Sequence, residues 1–322
     1  MMHISLRQLR AFEAVARLRS FSRAAEELCV TQPTVSKQIR LLHEEVGLPL
    51  LEQVGKKIYL TDLGEALYAT CSQWLDSWSR FEQTVADHKG VKQGRLRIAA
   101  VTTTQFFMPR LLGPFCAEYP GVDVALEVLN RDRVLERLAR NQDDLYIMGV
   151  PPQDWEIEYE PFLPNELVVL AAIDHPLVAA RPIPLQALAN EPFIARERGS
   201  GTRLTTEQAL AAQGLAMRVR MELGSNEAIK QAVAGGLGVA VLSRSTLGPD
   251  LRAQGLALLD VEGFPIRRHW YVVRLKDKPL SVVAQTFLAF LRSHIAWLQR
   301  CTVGPDERCS SPADSASPAP SA

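Results

Sequence analysis

Apolar residues early in the chain recur at helical spacing. Val35, Ile39, Leu42 and Val46 follow one another at intervals of four, three and four, so they share one face of a helix. That face is expected to pack on a second short amphipathic segment carrying Ala24, Ala25 and Leu28. Ser22 is the expected cap of the first helix, running through Leu28, and Thr31 of the second, running to about Val46. A hydroxyl there accepts the unpaired first-turn N–H groups. Pro33 fits only a first turn, which fixes the start. The opposite face holds Gln32, Thr34, Ser36, Lys37 and Arg40, which can hydrogen-bond base edges and neutralise phosphates. Gly55, Lys56 and Lys57 then precede the β-branched and aromatic run Ile58 to Thr61, the expected tip and second strand of a wing. A helix braced by another, with cations on a nearby hairpin, is the layout that reads a major groove.

Asp62 with Glu65 three residues later resembles a capping box and opens a helix expected to reach about Lys89. Along it Leu67, Cys71, Trp74, Trp78, Phe81 and Val85 are spaced four, three, four, three, four. This heptad seam wants a second helix, either from its own chain or from another copy. Pairing between copies would set two reading heads about 34 to 36 Å apart, or multiples of that. His88 to Arg95, flanked by Gly90 and Gly94, marks a joint.

Beyond the joint the pattern changes class. Strands at 97–101, 122–129 and 145–150 alternate with helices at 106–119 and 131–141, the signature of a parallel sheet covered by helices. A second set follows, with strands near 167–173, 193–196, 219–223 and 239–242 and helices near 185–190, 203–212 and 226–234. A strand at 270–274 and a helix at 282–298 return to the first set. The expected domains are a winged helix-turn-helix at 1–61, a linker helix and joint at 62–94, and a bilobal α/β domain at 95–300. Lobe I would hold 95–164 and 269–300 and lobe II 165–268, joined by two crossing strands. A tail at 301–322, rich in Ser, Pro and Ala, is expected to be disordered.

In doubly wound sheets ligands sit at the carboxyl ends of strands, here between the lobes. Thr102, Thr103 and Thr104 follow the first strand, and Gly199, Ser200, Gly201, Thr202 and Arg203 follow a strand in the second lobe. Ser225 and Asn226 open a further helix. Each group can offer hydroxyls and first-turn N–H groups to an anion, although any one alone is accounted for by ordinary capping. With Gln105, Asn130, Arg131 and Arg198 they form the candidate effector-binding set, suited to a negatively charged metabolite such as a sugar phosphate or NADPH. Gly235, Gly236 and Gly238 follow a helix and precede a strand, the wrong order for a dinucleotide fingerprint, and read as a helix stop and turn.

Formal net charge is zero over 322 residues, but up to Leu60 nine Lys and Arg outweigh six Asp and Glu, so the basic field is local. No apolar run approaches the roughly 18 residues of a spanning helix and no secretory leader is evident, which points to the cytoplasm. The five cysteines, Cys29, Cys71, Cys116, Cys301 and Cys309, show no metal-ligand spacing. His175, His269 and Asp260 lack a nucleophile elbow, so neither a metal nor a catalytic site is expected.

The motifs Arg7-Gln8-Leu9, Ser22-Arg23-Ala24-Ala25 and Thr31-Gln32-Pro33-Thr34-Val35-Ser36 resemble the heads of LysR-type transcriptional regulators. The likeness departs at His43 and Leu51, where Glu and Phe are usual. It implies a DNA-binding set of Ser22, Arg23, Gln32, Pro33, Thr34, Ser36, Lys37, Arg40, Lys56 and Lys57, and dimerisation along the linker helix. Farther on, 143–149, 199–203, 224–233 and 262–271 resemble the activators of Calvin-cycle carbon-fixation operons. That resemblance implies a promoter-bound homodimer or homotetramer responsive to an anionic metabolite and acting with RNA polymerase. Gln105 stands where that subgroup often has Lys. Control of another metabolic operon is the alternative. A periplasmic binding protein or a cleft enzyme with a DNA-binding appendage fits less well.

Overall fold

The computed structural model describes residues 3–55, 57–88 and 94–303. They divide into two units, the first ending in a long helix and the second beginning with a strand. In the first, α1 (Leu6–Leu18) opens on a capping box: the Ser5 hydroxyl accepts from the Gln8 N–H and the Gln8 side chain from the Ser5 N–H. α2 (Phe21–Glu27) is capped by Ser20, whose hydroxyl accepts from the Arg23 N–H at 3.3 Å. Ser22 was the expected cap but lies inside the helix, exposed. α3 (Gln32–Val46) does start at Thr31 with Pro33 in its first turn, and Gly47 ends it with φ 75°. The Thr31 hydroxyl caps no N–H, however, and pairs with the Thr34 hydroxyl at 2.8 Å.

Val35, Ile39 and Leu42 are buried against Ala24, Ala25 and Phe12, with Leu28 and Val46 half-covered at the edge. β1 (Leu51–Val54) and β2 (Lys57–Leu60) form the antiparallel wing. Thr61 lies past the ladder: its hydroxyl accepts from the Gly64 N–H at 3.0 Å, so Thr61, not Asp62, caps α4 (Asp62–His88). The seam on α4 divides. Leu67 and Cys71 close the core of the head, whereas Trp74, Trp78 and Phe81 are exposed, with ring centroids 6.0 Å apart for Trp74–Trp78 and 5.6 Å for Trp78–Phe81. The side chain of Val85 lies outside the described residues, as do Lys56 and most of the joint.

The second unit begins with β3 (Gly94–Val101), three residues earlier than expected, followed by a 3-10 turn at Thr102–Phe106 and α5 (Met108–Glu118). Then come β4 (Val122–Leu129), α6 (Arg131–Ala139), β5 (Leu145–Met148) and β6 (Ile157–Ala172). α7 (Leu185–Asn190), β7 (Phe193–Arg196), α8 (Gly201–Ala211), β8 (Val219–Leu223) and α9 (Asn226–Ala234) build much of lobe II. They are followed by β9 (Ala240–Ser243), β10 (Leu256–Leu259), β11 (Ile266–Leu275) and α10 (Val282–Val303). The parallel sheets expected from the alternation are only part of the result. β4, β3 and β5 pair in parallel, as do β7 and β8, but β5–β11, β11–β6, β6–β9 and β6–β10 are antiparallel. β6 and β11 run side by side from Leu167 and Ile266 to Ile157 and Leu275, and these paired strands join the lobes.

Both faces of the lobe I sheet are covered along the carboxyl half of β3, and Ile98 to Val101 are apolar on both sides. Leu96, Ile98 and Ala100 pack with Phe107, Phe115 and Phe287, while Ala99 packs with Val134, Leu138 and Tyr146. In lobe II, Leu167 and Val169 meet Leu185 and Leu188, and Leu170 meets Ile229 and Val233. Strand ends and helix starts from both lobes therefore converge where β6 and β11 cross.

Candidate functional site

The end of β7 delivers Arg196, only 3 % exposed, into this convergence. A buried guanidinium needs acceptors for its donors, and every nitrogen here finds at least one. Nε and Nη2 donate to the two carboxylate oxygens of Glu197 at 2.8 and 2.9 Å, and Nη1 donates to Oδ1 of Asn226 at 2.9 Å. Nη2 also donates to the hydroxyl of Thr102 in lobe I at 2.8 Å. Glu197 accepts from the Asn130 amide at 2.7 Å as well, so one carboxylate joins both lobes.

The Gly199–Thr202 loop is built for close approach. Gly199 has φ 79°, and a Cβ there would lie 2.2 Å from a carboxylate oxygen of Asp132. Gly201 opens α8 against the Arg131 side chain, and Ser200 and Thr202 are buried. The Arg131 Nε donates to the Val150 carbonyl at 3.0 Å, and burial pulls its pKa below the usual guanidinium value. From β11, Arg268 reaches into α8: Nη1 donates to the Gly201 carbonyl and the Thr205 hydroxyl at 3.1 and 3.0 Å, and Nη2 to the Thr202 hydroxyl at 3.3 Å. Val101, Thr102, Thr103, Gly149, Ser200 and Trp270 line an inner cavity of about 20 Å³ with these residues. Arg131, Asp132, Arg198, Ser200, Arg203 and Glu207 line an outer one of about 420 Å³.

Most of the expected effector set thus gathers between the lobes, but several members have other employment. The Thr104 hydroxyl donates to the Val101 carbonyl at 2.8 Å, and the residue is fully buried in the 3-10 turn. Ser225 caps α9 through the Ala228 N–H, which is the ordinary structural role. Arg203 is held by Glu207, Glu222 and the Arg196 carbonyl. Gln105 and Arg198 are exposed, the latter at the rim of the outer cavity. Asn130 faces Glu197 rather than open space, while Asn226 offers one oxygen to Arg196 and keeps a buried amide nitrogen without a partner among the described residues. Arg268, Trp270 and Glu197 were absent from the expected set. Nothing in the sequence separates Arg268 from Arg267 beside it, which is exposed.

On the head, Ser22, Arg23, Gln32, Pro33, Thr34, Ser36, Lys37, Arg40 and Lys57 are all exposed. Arg40 among them has a loose 3.7 Å pairing with Glu44. Arg23 is bent back to the Leu18 carbonyl, an employment its position alone did not suggest. His43 is half-buried: the Leu50 N–H donates to its Nε2 at 3.4 Å, and burial pushes its pKa down.

A winged helix-turn-helix followed by a two-lobed domain with a polar cleft is the architecture of a ligand-responsive bacterial regulator. Family models agree: bacterial regulatory helix-turn-helix protein, lysR family, matches residues 6–65, and the LysR substrate binding domain matches residues 89–296. The chain belongs to the LysR family. It is 49 % identical to the HTH-type transcriptional activator CmpR of Synechocystis, over 91 % of this chain and 97 % of that one. It is 50 % identical to a RuBisCO operon transcriptional regulator of Acidithiobacillus ferrooxidans, over 90 % of this chain and 94 % of that one. Among solved structures, the Synechocystis CcmR regulatory domain in complex with 2-PG is 51 % identical, with a TM-score of 0.60. The match covers 62 % of this chain and 97 % of that domain.

Proposed function

We propose that the protein is a metabolite-responsive transcriptional activator of a carbon-fixation operon. It binds promoter DNA as a homodimer or a dimer of dimers through α3 and the wing, and an anionic effector in the cleft between the lobes adjusts that grip. The observation that carries this reading is the near full-length identity, at 50 %, to a RuBisCO operon regulator. The cleft supports it, since its lining is dominated by hydroxyls, guanidinium groups and helix starts that favour negative charge. The 2-PG (2-phosphoglycolate) bound by the related CcmR domain belongs to this chemical class. Control is exerted by binding rather than turnover, and the protein works beside its promoter in the cytoplasm; no described helix is long and apolar enough to cross a membrane.

A second reading, control of another operon, is favoured by the 49 % identity to CmpR, whose name specifies an activator without a RuBisCO target. Mobility-shift titration with DNA upstream of RuBisCO genes and upstream of the protein's own gene tests both. Selective retardation of the first over a scrambled fragment supports the primary reading, and retardation of the second alone supports the other. No retardation of either at low salt overturns DNA control altogether.

A further inference from the structure

Resting on the effector reading above, we infer that Arg268, with the Trp270 indole N–H beside it, receives the anionic end of the ligand and makes a terminal oxyanion a requirement of this cleft. Two of the other cleft arginines are already compensated, Arg196 at 2.8 Å from Glu197 and Arg203 at 2.7 Å from Glu207. Arg131 has a looser pairing with Asp132 at 3.9 Å, and Arg198 is open to solvent. Among the described residues Arg268 has only neutral acceptors, a carbonyl and two hydroxyls, and its buried Nε has no acceptor. Burial pulls its pKa down to about 10, so the group is still charged at neutral pH.

Trp270 is fully buried, and its Nε1 likewise has no acceptor among the described residues. Both residues line the inner cavity, as does Gly149. A Cβ on Gly149 would come within 3.0 Å of the Asn165 amide nitrogen, another buried donor without an acceptor, and 3.3 Å of the Arg268 Cζ. Donors left unmet in one place are costly, and a guanidinium without a counter-charge more so. Water would satisfy the N–H groups but not the charge. An oxyanion satisfies both, and the guanidinium fork suits carboxylate and phosphate alike. The inner cavity holds about one water, so an entering oxyanion must part its walls. The outer cavity shares Arg131 and Ser200 with it and accommodates the rest of the ligand. Ligand capture and lobe movement are thereby coupled.

The competing role is a tack fastening β11 to α8 through Thr202, Thr205 and Gly201. Calorimetric titration of the full chain separates the two, with 2-phosphoglycolate, glycolate and inorganic phosphate as probes. Arg268→Gln is expected to weaken 2-phosphoglycolate binding about 10- to 100-fold, the range for a charge-assisted contact. Arg268→Lys should recover part of this, keeping the charge without the fork. Thr205→Val, which loosens the tack and leaves the guanidinium, should stay near wild type. A loss confined to glycolate assigns the carboxylate end to Arg268, and a loss confined to phosphate assigns the phosphate end. Wild-type affinity in both Arg268 variants, or an equal loss in Thr205→Val, overturns the assignment alone. A wild-type protein that binds none of the three probes overturns the effector reading with it.

Discussion

Arg196 and Thr102 hold the two lobes together through one hydrogen bond: the guanidinium Nη2 at the end of β7 donates to the threonine hydroxyl after β3 at 2.8 Å. Because Arg196 is buried and Glu197 faces it from its own lobe, this bond, like the one from Asn130 to Glu197, must change if the lobes separate. Replacing Thr102 with Val leaves a buried donor short of one acceptor, at about 1 kcal/mol given that Nη2 keeps Glu197. The expected outcome is unchanged DNA affinity without metabolite and a blunted metabolite response, read by mobility shift across an effector titration. A normal response places the hinge elsewhere.

Lys37 and Arg40 are exposed on the outer face of α3, opposite Val35, Ile39 and Leu42. If each meets a phosphate, replacement by Ala lowers the slope of log affinity against log salt by about one unit. An unchanged slope for either variant removes that residue from the DNA contact.

Leu67 and Trp78 belong to the same heptad seam but answer to different neighbours. Leu67→Ala is expected to destabilise the head by about 2 kcal/mol through cavity formation, with self-association intact. Trp74→Glu with Trp78→Glu should leave the head's melting temperature in place and weaken self-association at least tenfold. A helix pair cannot bury two carboxylates where it buried indoles. Sedimentation of the two proteins at equal concentration decides, and an unaltered mass for the double variant refutes the seam.

Folding of the head should depend on His43. Its pKa is depressed by burial, and its Nε2 accepts from the Leu50 N–H, so the neutral ring is the folded form. The unfolded chain then takes up its proton first, near 6.5, and stability declines as pH falls through that value toward the lower folded pKa. Chemical unfolding between pH 7.5 and 5 should show this decline, and His43→Gln should flatten it. An identical pH profile in the variant contradicts the assignment.

Cys71 sits in the head core, with its thiol pushed up to about 12 by burial, whereas Cys29 and Cys116 are exposed. Alkylation at neutral pH followed by peptide mapping is expected to label Cys29 and Cys116 and spare Cys71. Rapid labelling of Cys71 in the native protein would show that the head opens readily.

Much of this architecture was legible from periodicity. The four-three-four spacing on α3 names its buried face, and the limits of β4, α7, β7, β8 and α9 follow from apolar runs and their flanking breakers. What sequence pattern could not supply is partnership. Ser20 and Ser22 are chemically equal as caps, and only the backbone path selects the first. β6 runs for 16 residues through Pro161 and Pro164, which break the strand signal in sequence; the register shift at Trp270 and Tyr271 lets the ladder continue past Pro161. Arginines at the cleft look alike in the chain, and their meaning depends on which of them finds a carboxylate. Arg268 finds none.

Ligand held between the lobes is expected to alter the grip of α3 on DNA, and footprinting reads that change on the operator itself. Full-length protein on the promoter fragment it retards should protect two separated half-sites, and adding 2-phosphoglycolate should shift the protected boundary or the concentration at which it appears. Identical footprints with and without ligand, while calorimetry shows that the ligand is bound, would contradict that coupling.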